Sequence, residues 1–282
     1  MSEAPKEYEN RIVLFVDFLG FKEHVRRTLN DAEHISTVSD AMKLLGEIGE
    51  MYEGFESKKV SQFSDCLVVS YKINEESAVF WLVDAIATQL VTLAYQGFLL
   101  RGAVTVGQLF HTNEQVFGPA LVSAYELESK YAVVPRVLID SSVYSAARNG
   151  KSWQHTEDQE EEYVKRFIVT DADERDYIDY VSWKAVVESV GHEPDLHAEY
   201  LASIKNLIES GLSHTDPKVA GRYVWLQRQL RAAIDQVKSL TIDHPYRVEN
   251  PDNCAFVESL DDLEELAAKI SISNLPTWMQ HT

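Results

Sequence analysis

The sequence predicts an α+β fold, an antiparallel sheet carrying helices on one face. Three observations lead there. Short apolar, β-branched runs alternate with stretches of helical spacing in the order strand, helices, strand, strand, helix, strand, helix, strand. That order is a βαββαβ frame with one additional hairpin. Apolar residues make up 45% of 282 residues, enough to bury the core of one large domain or of a domain with an extension. Finally, two strand ends each deliver a carboxylate, Asp17 and Asp65, which suggests a site built along one edge of a sheet.

The elements follow in order. Residues 1–10 are polar and acidic and read as a frayed tail. Residues 11–17 (Arg-Ile-Val-Leu-Phe-Val-Asp) form the first strand, and Gly20 precedes a helix from Phe21 with Val25 and Leu29 at helical spacing. Ile35, Val38, Met42, Leu45 and Ile48 mark a second helix, with Ser36 or Thr37 as N-cap and Gly54 as breaker. Residues 59–64 and 66–71 read as a hairpin turning at Ser64-Asp65. Asn74 opens a long, mostly apolar helix to Tyr95, with Glu75 and Glu76 in its first turn and Gly97 ending it. Leu99 to Val106 is a strand closed by Gly107, with a hairpin partner at 108–111. Gly118-Pro119 starts a helix to about Tyr131, residues 135–139 form a strand, and Ser141 or Ser142 caps a short helix ending at Gly150. Beyond it, the acidic run 155–162 reads as a solvated loop. A hairpin follows over 167–170 and 177–183, then helices at about 195–211, 217–240 and 259–270. The domains are thus a tail (1–10), a core (11–150) and a C-terminal hairpin with helices (151–282), without internal repeats.

Composition excludes several classes. A net charge of −19 argues against a nucleic-acid binder, which needs a basic face, but not against a nucleotide, because bound metal supplies positive charge locally. The 2 cysteines, Cys66 and Cys254, have no zinc-site spacing, and the 9 histidines show no ligand spacing. Cys66 reads as a small core residue. No signal peptide and no apolar run approaching a membrane span are visible, so a cytoplasmic, reducing location without membrane contact is expected.

The chemistry concentrates at two stretches. Asp17 and Asp65, at the ends of neighbouring strands, suit chelation of divalent metal, and the turn Leu19-Gly20-Phe21 into a helix leaves backbone N–H groups for phosphate. Their structural alternatives are a helix cap for Asp17 and a turn residue for Asp65. Arg101 stands in a strand of apolar and small residues, where a phosphate or a carboxylate partner is required.

In sequence order these segments resemble the class III nucleotidyl cyclase catalytic domain. The matches are Asp17-Phe18-Leu19-Gly20-Phe21, the hairpin Asp65, Arg101-Gly102 through Gly107, Phe117-Gly118, Glu128-Ser129 and Val137-Leu138-Ile139. The Asn and Arg that the family carries on the following helix align with Val122 and Glu126, and its purine-selecting Lys and Asp are missing. Lys130, one helical turn from Glu126, is a candidate substitute for the lost Arg, the alternative being an ordinary exposed lysine. The Phe-Leu-Gly-Phe start, Phe63-Ser64-Asp65, Leu100-Arg101-Gly102 and Tyr223-Val224-Trp225-Leu226 resemble the Pycsar pyrimidine cyclases of bacterial antiphage defence.

The resemblance implies a ferredoxin-like class III nucleotidyl cyclase core with a C-terminal hairpin and helical extension. It implies that UTP, ahead of CTP, is cyclised to a 3′,5′-cyclic nucleotide that activates a separate effector. Two divalent ions, Mn2+ or Mg2+, would be held by Asp17, Asp65 and the Phe18 carbonyl. Phe18, Leu19, Gly20, Phe21 and Arg101 would bind the triphosphate. Tyr52 would stack on the base in space that a purine would fill, or else pack at a helix end; Gln62 or Ser61 would read the pyrimidine edge. A homodimer with composite sites is implied. The Tyr223–Leu226 stripe reads as core or interface. The alternatives are a purine cyclase with unusual selectivity residues and a catalytically dead, cyclase-like sensor.

Overall fold

The computed structural model describes residues 7–48, 55–190 and 194–280. β1 (Glu9–Phe18) enters the centre of the sheet, pairing antiparallel with β3 (Cys66–Lys72) on one side and β4 (Leu100–His111) on the other. β2 (Lys59–Phe63) pairs with β3, β6 (Val137–Ile139) lies parallel to β4, and β8 (Asp176–Ile178) and β7 (Ile168–Thr170) continue beyond it. The order is β2-β3-β1-β4-β6-β8-β7, with the short β5 (Val116–Phe117) on the far end of β4. The fold is α+β, as expected. The C-terminal hairpin joins the same sheet, and one apolar cluster runs from Ile12 through Val83 to Trp225 and Val257.

The helices divide between the two faces rather than sharing one. Ile12, Leu14, Val16, Leu67 and Val69 turn toward α1 (Phe21–Thr28), α2 (Glu33–Glu47) and α3 (Ala78–Tyr95) in the main cluster. Their alternates Val13 and Val68 form a second cluster with Leu109 and Ala120, under α4 (Pro119–Tyr131). This is the two-residue period of a strand buried on both sides. α3 is long and apolar enough by composition to cross a bilayer, contrary to the sequence expectation, yet 67% of it is packed inside the fold.

Other boundaries differ for identifiable reasons. β4 runs straight through Gly107, which pairs with Arg11 across the ladder; β5, not 108–111, is the hairpin partner. Glu75 and Glu76 precede α3: Glu75 accepts from the Ser57 N–H and hydroxyl, Glu76 from the Ser152 hydroxyl and the Trp153 N–H. Ser36 sits inside α2 rather than capping it, its hydroxyl donating to the Glu33 carbonyl. The acidic run 155–162 opens α6 (Glu157–Lys165), started by a capping box between Thr156 and Gln159. Glu160 in that run is 1% exposed and 2.7 Å from His155 Nδ1. α5 (Ser142–Asn149) precedes it, and an unforeseen helix, α7 (Trp183–Val190), follows the hairpin.

α8 (Pro194–Leu212) and α9 (Pro217–Lys238) pack so closely that a Cβ on Gly211 would lie 2.2 Å from the Tyr223 ring. The last expected helix, 259–270, is only the single turn α12 (Glu264–Ala267), and two helices not expected precede it, α10 (Pro245–Glu249) and α11 (Pro251–Ser259), started by Pro245 and Pro251. Two 3₁₀ turns, Ile272–Asn274 and Thr277–Gln280, end the described chain.

Candidate active site

Register brings the site together. Asp17 at the end of β1 stands directly opposite Cys66 on β3 and Arg101 on β4, so all three project from the α4 face. Asp65 immediately precedes Cys66 in the hairpin turn. Ser64 before it holds φ 53°, a left-handed conformation uncommon for a residue with a side chain. Ligand atoms of Asp17, Asp65 and Cys66 lie within 4.8 Å of one another.

The Arg101 fork grips Asp17 with two hydrogen bonds, Nε to Oδ1 at 2.8 Å and the second guanidinium nitrogen to Oδ2 at 3.0 Å. The same Nε is 2.9 Å from Oε1 of Glu128, whose side chain is only 3% exposed. The carboxylate alternative for Arg101 is therefore realised twice. Burial raises the Asp17 pKa, Arg101 opposes that rise, and the nearby Asp65 charge adds to it. Burial likewise raises Glu128, again against Arg101. For Arg101, burial works against the charge, but the Asp17 hydrogen bond and charge prevail and its pKa is raised.

Glu128 as a partner of Arg101 was missed, although its signal is in the sequence. Ala120, Ala124 and Glu128 recur every four residues, and they are the buried residues of α4. A carboxylate ending such a stripe must meet a cation. Val122 and Glu126, at the family's Asn and Arg positions, point outward at 57% and 56% exposure. Lys130 pairs with Glu126 at 3.1 Å on the exposed side.

The phosphate cradle is displaced by one residue. Leu19 N–H donates to the Leu99 carbonyl at 2.8 Å and is consumed by the sheet. Gly20 adopts φ 79° with open space around its α-carbon, so its backbone conformation, not crowding, calls for glycine. It caps α1 without a side-chain hydrogen bond, leaving the Phe21 and Lys22 N–H groups as donors, whereas the Glu23 N–H returns to the Gly20 carbonyl at 2.9 Å. Phe18 and Phe21 anchor this turn, their rings stacked 5.8 Å apart, with Phe18 also edge-on to Phe98.

Of the described base-reading candidates, Gln62 and Ser61 stand on opposite faces of the sheet. Gln62 pairs with Leu67 across the hairpin, so it projects from the face opposite Asp17, where its amide donates to the Met42 carbonyl at 2.9 Å. A two-residue period forbids Gln62 and Asp17 from sharing a face. Ser61 is on the Asp17 face but bonds His111 Nε2 at 3.0 Å; His111 Nδ1 meets Ser70, which accepts from Arg11. Burial, Arg11 and Lys59 push the His111 pKa down to about 4. Tyr52 and Gly54 lie outside the described residues.

The donor set suits a hard divalent cation. The two carboxylates supply oxygens, and each carboxylate oxygen has a second lone pair beyond the one Arg101 uses. Cys66 is a poor ligand for such an ion: burial, Asp65 and Asp17 push its thiol up to about 11, so it stays protonated.

No protein-family model matches the chain, and no curated protein does. Among solved structures, the chain is similar to the adenylyl cyclase CyaB from P. aeruginosa at 16% identity and a TM-score of 0.40, over 52% of this chain and 84% of that one. It is similar to a bacterial light-regulated adenylyl cyclase at 18% identity and 0.38, over 49% and 78%. A second structure of a bacterial light-regulated adenylyl cyclase aligns at 13% identity and 0.42, over 73% and 59%.

Proposed function

We propose that this chain is a metal-dependent nucleotidyl cyclase. Its substrate would be a pyrimidine nucleoside triphosphate, UTP ahead of CTP, and its product a 3′,5′-cyclic nucleotide with release of pyrophosphate. The observation that carries the reading is the convergence of Asp17 and Asp65 beside Arg101 and the glycine-led start of α1. Two magnesium or manganese ions held there would activate the ribose 3′-oxygen and stabilise the leaving pyrophosphate. Asp17 and Asp65 would hold them, with the Phe18 carbonyl as a third donor. The first-turn amides of α1 orient the β- and γ-phosphates. Arg101, released from Asp17, turns its fork to the phosphate chain, while Glu128 keeps the guanidinium charged and in place.

The pyrimidine preference rests on the sequence resemblance to the Pycsar cyclases and on the missing purine-selecting residues, with Tyr52 as the stacking residue. The same resemblance supports a role in antiphage signalling through a separate effector. A homodimer fits the exposed apolar side chains of the α4 side, Phe117 at 48%, Val122 at 57% and Tyr125 at 56%. One observation favours the sensor alternative: Arg101 already occupies Asp17, and no amide or guanidinium stands at the Val122 and Glu126 positions.

The test is to incubate the full chain with each ribonucleoside triphosphate and manganese and weigh the products. Cyclic UMP or cyclic CMP, abolished in Asp65→Ala, is the expected result. Cyclic AMP or cyclic GMP would overturn the pyrimidine preference. No turnover by folded, metal-loaded protein would leave the sensor reading in its place.

A further inference from the structure

A cleft of about 650 Å3 lies between the end of α4, the start of α9 and the segment 273–278. Four cations line it, Lys130, Arg175, Lys218 and Arg222, against one carboxylate, Asp173. Asp173 is already engaged, accepting from Arg136 at 2.6 and 3.0 Å. In a chain of net charge −19 this concentration of positive charge runs against the whole molecule.

The four cations are not equivalent. Lys130 is paired with Glu126, and the Arg175 guanidinium lies 3.6 Å over the Tyr131 ring. Arg222 is half-buried, yet neither its guanidinium nor the Lys218 ammonium has an ion pair or hydrogen bond to any described residue. Burial and the neighbouring Arg101 charge both push the Arg222 pKa down. The Asp216 charge also reaches it, less strongly than that of Arg101, but forms no ion pair with it; an arginine held half-buried beside another arginine, with no acid bonded to its guanidinium, is placed for an anion.

The cleft is also preformed. Gly221 lets the Asn274 carbonyl press onto α9, where a Cβ would stand 2.1 Å from the oxygen. Trp278 is fixed by the Arg136 guanidinium, 4.7 Å from its ring centre. Lys218 and Arg222 are four residues apart on one helix face, about 6 Å between Cβ atoms, a spacing that two linked phosphates bridge with one phosphate to each cation.

We propose that the C-terminal extension builds a polyphosphate-binding cleft against the end of α4, with Arg222 and Lys218 as its anion-binding groups. The inference stands on the architecture and not on the cyclase reading. The polyphosphate is either a free one such as pyrophosphate or the terminal phosphates of a nucleotide seated at Asp17 and Asp65, which would then lie in this cleft in place of the α1 amides.

The experiment is calorimetric titration of the full chain with sodium tripolyphosphate in metal-free buffer, at low and at moderate salt. One saturable site that weakens with salt is expected. Arg222→Gln and Lys218→Gln should each weaken it by roughly tenfold, the scale of one charge-assisted hydrogen bond, while Lys205→Gln, on α8, leaves it unchanged. Lys218 is exposed, so its variant keeps the test valid if Arg222→Gln fails to fold. No saturable binding, or binding by the Lys218→Gln and Arg222→Gln variants as tight as that of the unsubstituted chain, overturns the proposal. A nucleoside triphosphate with a methylene bridge between its α- and β-phosphorus atoms, which cannot release pyrophosphate, added with magnesium to the unsubstituted chain then separates the sources. Displacement of tripolyphosphate assigns the cleft to the nucleotide tail, and simultaneous binding assigns it to a free anion. Turnover enters none of these readouts, so a failed cyclase assay leaves the result intact.

Discussion

Replacing Arg101 with methionine keeps the stem's length and removes the charge. Asp17 then loses both of its hydrogen bonds to the guanidinium, and Glu128 loses the cation 2.9 Å from its buried oxygen. Stranding a fully buried charge costs about 3–5 kcal/mol. Here the Arg101 side chain is 28% exposed and Asp17 13%, so solvent softens the loss and about 2–4 kcal/mol is expected at pH 7. The sign with pH follows from the carboxyls. Both are raised by burial, and Arg101 is what restrains the rise. Without it their folded pKa values climb further above the unfolded ones. A group raised in this way has its stabilising contribution complete below the unfolded value and loses it as pH rises through the folded value. Urea unfolding in metal-free buffer should therefore show the Arg101→Met deficit smallest near pH 4 and largest at neutral pH. Adding Glu128→Gln should recover about 1–3 kcal/mol of that deficit at pH 7, since the stranded charge is gone. A deficit that is flat with pH, or a double variant no more stable than Arg101→Met, would refute the reasoning.

Two further outcomes are expected. Gly211→Ala would drive a methyl to within 2.4 Å of three Tyr223 ring atoms and lose at least about 2 kcal/mol in the same unfolding assay; Tyr223→Leu in that background should restore part of it. Cys66, with its thiol pushed up to about 11, should alkylate slowly at pH 8 and about tenfold faster for each unit that the pH is raised toward that value, and Asp65→Ala should speed the reaction at pH 8 by removing one of the charges that raises it.

The strand at 59–63, the Ser64-Asp65 turn and the helix from Phe21 are local matters, and the sequence settles them through alternation, turn chemistry and a glycine. The same local rules misread 155–162, where charge count outweighed the Thr156–Gln159 capping box. They also misread Gly107, which the long strand carries through because β1 holds it in register opposite Arg11. Residue identity alone offered Asp17, Asp65 and Arg101 as candidates for the chemistry. Only the tertiary structure decided how they meet. Strand register put Asp17 and Arg101 side by side and turned Gln62 to the other face, since one residue's shift along a strand exchanges the faces. Helix packing brought Glu128 over Arg101 and Arg222 toward it from the far end of the chain. These pairings join residues far apart in the chain, and such contacts form only when a whole sheet is assembled and a charge must find its partner away from water.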